Sequence, residues 1–118
     1  MTSPTRPGLY TYRAFVRKVY DGDTVTLDIQ LGFDVVLREQ KVRLLRINAP
    51  EVRGESREAG VASRDALRRR IANKWVVLRT ERDKKGKFGR WLGEVWLEDE
   101  CINDWMLIEG HAAPYGEK

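Results

Sequence analysis

The sequence predicts a mainly β, α+β domain built as three strands, a helix, two more strands and a short final helix. Three observations carry that reading. Residues 24–30 alternate strictly, with Val25, Leu27 and Ile29 on one face and Thr24, Thr26 and Asp28 on the other, the period of a half-buried strand. Turn residues, Asp21-Gly22 before this run and Gly32-Phe33-Asp34 after it, mark both of its ends. Residues 56–73 change to a helical period and are rich in Ala, Leu and Arg.

Each element follows in order. Residues 10–20, rich in β-branched and aromatic side chains, form the first strand, residues 24–30 the second, and residues 35–47 a third, long enough to bend. Three successive strands joined by short turns form a meander. Residues 48–55 are a loop punctuated by Pro50 and Gly54. Ser56 is placed to cap a helix running to about Asn73. Its apolar half holds Ala59, Ala62, Ala66, Leu67 and Ile71, and Arg57, Arg64 and Arg68 gather on another side. Residues 75–80 and 90–97 are strands four and five, joined by a Lys- and Gly-rich loop. Glu98-Asp99-Glu100 sets acids before a last helix over residues 101–109, where they suit the positive end of its dipole, and Gly110 stops it. This order is that of a five-stranded OB-type β-barrel with one helix between strands three and four. Residues 1–9 are expected to be a flexible segment and residues 10–118 a single domain.

Composition narrows the function. The 118 residues contain no apolar run near the ~20 that a membrane helix needs, and residues 1–13 carry no apolar signal-peptide core. Cys101 and His111 are each the only one of their kind. An internal disulfide, a Cys-rich zinc site and any two-histidine mechanism are therefore excluded, and a metal must be held mainly by oxygen, as Ca²⁺ or Mg²⁺ is. The net charge of +4 is unevenly spread: residues 1–52 are net +2, residues 53–93 net +8 and residues 94–118 net −6. A middle segment so basic makes a polyanion the leading partner. The four tryptophans, Trp75, Trp91, Trp96 and Trp105, are expected in the core, as is Cys101, with His111 at a helix end.

Three clusters carry the chemistry. Asp21-Gly22-Asp23-Thr24 makes a tight turn between strands; Val42-Arg43-Leu44-Leu45 leads into Ile47-Asn48-Ala49-Pro50-Glu51; and Lys87-Phe88-Gly89-Arg90 opens strand five. Arg43 inside an apolar strand is costly unless something anionic meets it. Together with the closing Leu107-Ile108-Glu109-Gly110-His111-Ala112, these pieces resemble the staphylococcal nuclease-like (thermonuclease) domain family over residues 10–115.

The resemblance implies a Ca²⁺-dependent phosphodiesterase acting on single-stranded DNA and RNA and leaving 3′-phosphate and 5′-hydroxyl ends. By residue, it implies that Asp23, Asn48 and the Ala49 carbonyl hold one Ca²⁺ ion, with Asp21 one layer behind. Arg43 and Arg90 match the family's two phosphate-clamping arginines, and Glu51 its glutamate, the general base toward the attacking water. Lys84, Lys85, Lys87, Phe88 and Tyr115 are implied substrate contacts. The chain departs from the staphylococcal enzyme in having Asn48 where that enzyme has a carboxylate, one negative charge fewer for the cation. Phe88 stands where a tyrosine occurs in relatives, and the C-terminal tail is short. The protein is expected to act as a monomer with no obligate protein partner. A non-cleaving nucleic-acid-binding or interaction module of the same fold is the competing reading; such a module would be expected to lose the arginines and glutamate, and Arg43, Glu51 and Arg90 are all present. A nuclease of another fold, suggested by Glu39-Gln40-Lys41, fits poorly because that pattern belongs with an α/β core.

Overall fold

Alternation and turn chemistry produce the meander. In the computed structural model, which describes residues 9–82 and 91–115, β1 (Thr11–Asp21), β2 (Thr24–Gly32) and β3 (Val35–Leu44) pair antiparallel in succession. Phe33 and Asp34 both adopt positive φ (56° and 62°), the two-residue turn whose twist matches a hairpin. A short β4 (Ile47–Asn48) follows, then α1 (Arg57–Ile71), β5 (Trp75–Arg82), β6 (Trp91–Leu97), β7 (Glu100–Cys101), α2 (Ile102–Ile108) and β8 (Ala113–Pro114). Strands four and five of the sequence reading are β5 and β6.

β5 adds to the far side of β1 and β6 to β5, and β6 then pairs parallel with the end of β3, closing a five-stranded barrel. Gly93 permits that closure. A Cβ there would lie 2.7 Å from both Leu78 Cδ1 and Val42 Cγ1, so only a residue without a side chain lets β3 and β5 pack so closely against β6. Inward side chains of all five strands, among them Val16, Leu27, Leu44, Leu78 and Val95, fill the interior, and Leu67 and Ile71 of α1 and Ile102 and Met106 of α2 join the same core. Asn103 is the polar member of α2 in this region. It is fully buried, accepts a hydrogen bond from Val95 N (2.9 Å) and donates to Leu45 O (2.9 Å) and Gly93 O (3.1 Å).

The structure corrects several sequence expectations. Ser56 occupies the N-cap position of α1 as expected, but its side chain makes no cap hydrogen bond: a 3-10 turn over Gly54–Ser56 leads into the helix, and the Ser56 hydroxyl donates to Glu51 O at 3.0 Å. The buried face of α1 carries Gly60, Ser63, Ala66, Leu67 and Ile71, while Ala59 and Ala62 are exposed, because the helix also presses against the loops beside it. None of the four tryptophans is fully buried; Trp75 and Trp91 are 42% and 38% exposed. The barrel interior is filled by aliphatic side chains; Trp105 packs against the edge of that core, and Trp75 and Trp91 lie on the outer surface, where guanidinium groups of Arg13 and Arg82 lie over them at 4.1 and 5.3 Å. The third strand stops at Leu44, and Glu98–Glu100 form a turn and β7, leaving Asp104 as the acid in the first turn of α2. Cys101 is buried as expected.

Candidate active site

The β1–β2 turn is pinned from two sides. Gly22 is buried, and a Cβ on it would run into Ser63 Oγ of α1 and lie 2.6 Å from Ala49 Cβ. Glycine therefore lets the turn sit directly on the helix and on the loop after β4. The Ser63 hydroxyl in that contact is buried and has no hydrogen-bond partner among the described residues. Gly60, one turn earlier on α1, does the same for the next segment: a Cβ there would run into the Glu51 carbonyl and lie 2.7 Å from Val52 N. Small residues at helical spacing thus hold both loops of the site, a role that composition hides because glycine in a helix otherwise only weakens it.

Asp23 organises what these contacts bring together. It is 6% exposed; its Oδ2 accepts the Ala49 N–H at 2.9 Å and Arg43 Nη2 at 3.3 Å, and its Oδ1 accepts the Thr24 hydroxyl at 3.1 Å. Arg43 Nη2 also donates to Asn48 Oδ1 at 3.1 Å, and the guanidinium lies 4.6 Å from the centre of the Tyr115 ring. Strand alternation turns Val42 and Leu44 inward and Arg43 outward, and Asp23 is the anion that meets its charge. Asp21 is half-buried and its Oδ1 accepts the Asp23 N–H at 3.1 Å. Burial first, and then hydrogen bonding and charge repulsion from Asp23, push the Asp21 carboxyl up to about 6.

Asn48 and Tyr115 reach Arg43 through an anchored bend. Arg46 adopts φ +71° and ends the run of β3; its Nη1 donates to Asp104 Oδ1 at 2.8 Å and its Nη2 to Glu94 Oε2 at 2.6 Å. The hydrogen bond to Asp104 is the main reason its pKa lies above the ordinary arginine value. Burial alone would raise the Glu94 pKa, but hydrogen bonds from Trp96, Arg46 and Arg79 outweigh it and hold the carboxyl below its ordinary value. The Arg46 carbonyl accepts the Tyr115 N–H at 2.9 Å, and Ile47 and Asn48 pair with Pro114 and Ala113. Sequence reasoning missed Arg46, Gly60 and Ser63. Only a positive-φ position between two strand segments, and small residues three apart on a helix, could have signalled them.

The sequence-predicted residues divide by position. Asp21, Asp23, Arg43, Asn48, Ala49 and Tyr115 converge, with Ala49 entering through its N–H to Asp23. Glu51 is exposed on the loop that Gly60 and Ser56 hold, and among the described residues its carboxylate forms no ion pair. Arg90, Lys84, Lys85, Lys87 and Phe88 lie outside the described residues.

Residues 41–118 match the family of staphylococcal nuclease homologues. The chain belongs to that family. It is 34% identical over 100 residues to a thermonuclease of Staphylococcus intermedius, an alignment covering 82% of this chain and 56% of that one. A thermonuclease of Staphylococcus hyicus is 30% identical over 105 residues, covering 86% of this chain and 57% of the relative. The chain therefore spans little more than half the length of either. In this nuclease homologue the family match contains Arg43, Asn48, Ala49, Glu51 and Tyr115, and Asp21 and Asp23 reach the same place from the β1–β2 turn that precedes it.

Proposed function

We propose that this staphylococcal nuclease homologue is a Ca²⁺-dependent phosphodiesterase that hydrolyses single-stranded DNA and RNA, leaving 3′-phosphate and 5′-hydroxyl ends. The observation that carries the proposal is the Arg43 guanidinium, oriented by Asp23 and Asn48 beside the exposed ring of Tyr115. The names of the two thermonucleases support it.

The donor chemistry fits a hard cation. Asp21 and Asp23, with the Asn48 side-chain oxygen and the Ala49 carbonyl, offer hard oxygen donors, and burial, then the neighbouring Asp23 carboxylate, raises the Asp21 pKa. Among the described residues no three acidic, histidine or cysteine side chains converge, so water and phosphate oxygens would complete such a shell. Asp23, Asn48 and Ala49 would hold the ion, with Asp21 behind them; bound there, Ca²⁺ supplies charge neutralisation for a phosphoryl group.

The protein's own groups do the rest. Arg43, whose fork is already ordered by hydrogen bonds, presents planar donors to phosphate oxygens, and Arg90 supplies the second clamp. Glu51, on a loop fixed by its backbone, accepts the proton of the water that attacks phosphorus in line as the bond to the 5′-oxygen breaks, and the departing 5′-oxygen takes a proton from solvent to leave as the hydroxyl. Tyr115 offers a face for a base, and Lys84, Lys85, Lys87 and Phe88 extend the contacts to the strand.

The test is cleavage of single-stranded DNA with Ca²⁺ and with excess chelator, using wild type and Arg43→Lys. Cleavage is expected only with the metal, with turnover falling roughly a hundredfold in the variant, which keeps the charge and loses the fork. Undiminished cleavage in chelator overturns the metal assignment, and wild-type turnover in Arg43→Lys overturns the clamp. Tight Ca²⁺-independent binding with no cleavage would mark a binding module instead.

A further inference from the structure

The outer face of the barrel continues past Arg43 into residues that the proposed mechanism does not use. The register places Lys18 opposite Thr26 and Thr26 opposite Lys41, a row across β1, β2 and β3. Two residues further along their strands stand Tyr20 and Arg43. Tyr20 immediately precedes Asp21 and is 48% exposed. Its hydroxyl accepts a hydrogen bond from Arg53 Nη2 at 2.8 Å, and Lys41 Nζ lies 5.7 Å from its ring centre. Arg53 follows Glu51 by two residues, so both cations leave the same two segments that carry Arg43 and Glu51. Among the described residues neither Lys41 nor Arg53 has a carboxylate at ion-pair distance, unlike Arg17, Arg46 and Arg79.

A half-exposed aromatic ring flanked by two cations is the combination that binds an unpaired base together with its phosphate. We propose that Tyr20, Arg53 and Lys41 form a second nucleotide subsite, in which a base next to the cleaved phosphodiester stacks on Tyr20 while the two cations hold its phosphate. Tyr115 hangs from the Arg46 bend, beyond Arg43 in the direction of β3, whereas Lys41 precedes Arg43 by about 7 Å of strand. By register Tyr20 stands level with Arg43, two strands or roughly 10 Å away across the sheet, and the Tyr115 ring lies 4.6 Å from the Arg43 guanidinium, a separation that one extended single strand can bridge. A base in a duplex cannot offer a face to Tyr20, so the subsite selects unpaired nucleic acid. This inference deepens the proposed function and rests on it.

The experiment compares kcat/KM for hexathymidylate and dithymidylate in Ca²⁺ for wild type, Tyr20→Ala, Tyr20→Phe and the double variant Lys41→Gln/Arg53→Gln. Taking the ratio of the two substrates on each variant cancels any general loss of folded protein. Wild type is expected to favour the hexamer, and Tyr20→Ala to lower that preference about tenfold or more, the worth of one stacked base. Tyr20→Phe keeps the ring and should keep most of the preference. The double variant should lower it and flatten its salt dependence. A Tyr20→Ala preference within twofold of wild type, in an enzyme that cleaves both substrates, overturns the subsite alone. Absence of cleavage by wild type overturns the proposed function and the subsite with it.

Discussion

Gly60→Ala separates positioning from stability. In an ordinary helix interior the change should stabilise by about 1 kcal/mol, since alanine has the higher helix propensity. Here the new Cβ would run into the Glu51 carbonyl and lie 2.7 Å from Val52 N, against the 3.4 Å at which ordinary contact begins. The obstacle is backbone, so no rotamer change relieves it, and α1 or the Glu51 loop must withdraw by roughly 1 Å. Overpacking of this kind costs ~1–3 kcal/mol. Set against the propensity gain, a net loss of about 1 kcal/mol is expected, which lowers the melting temperature by about 4 °C. The displaced loop carries Glu51, and a misplacement of about 1 Å can lower turnover ~10²-fold. Ala62→Gly is the control. It lies on the exposed side of α1, should lose about 1 kcal/mol through propensity, and should leave turnover unchanged. Thermal melts and single-turnover cleavage of both variants make the comparison. A Gly60→Ala protein that is more stable than wild type and fully active would refute the seating of α1 on the Glu51 loop.

Asn103→Ala should cost about 3 kcal/mol in urea unfolding, because it strands a buried N–H at Val95 and removes the donor to Leu45 O and Gly93 O; a loss below about 1 kcal/mol would contradict the buried network. Asp21 binds its proton more tightly in the folded protein, with its pKa raised from 3.8 to about 6, so its contribution to metal-free stability is greatest below pH 4 and is lost as pH rises to about 6. Asp21→Asn should therefore stabilise the metal-free protein at pH 7 by about 1 kcal/mol, a figure reduced for the half-exposed carboxyl, and should show no gain at pH 3.5. Melts at the two pH values check it, and an equal effect at both would remove the titration as the cause. If Asn48 holds the proposed ion, Asn48→Asp adds one negative charge to its ligands and should tighten Ca²⁺ binding about tenfold in a calorimetric titration; unchanged affinity would show that this side chain does not hold the ion.

What the sequence determined by itself is what a few neighbouring residues encode. Alternation wrote β2 into residues 24–30, Gly32-Phe33-Asp34 marked the hairpin turn, and the motifs around Asp23, Arg43 and Asn48 pointed to one site and one family. Such signals are legible because strand period, turn conformation and motif spacing depend on separations of two to eight residues. Tertiary structure decided the rest. Asp23 and Arg43 meet through the pairing of β2 with β3, and Asn48 and Tyr115 join them because Arg46, anchored to Glu94 and Asp104, bends the chain and β4 pairs with β8. The tryptophans followed the same logic in reverse. Apolar period suggested a core, but a barrel of this width is filled by aliphatic side chains, and Trp75 and Trp91 went to its outer surface under guanidinium groups. Gly60 and Ser63 are explained only by the loops packed on them. Their value lies in close approach between segments distant in sequence, and local propensity carries no record of how near two backbones must come.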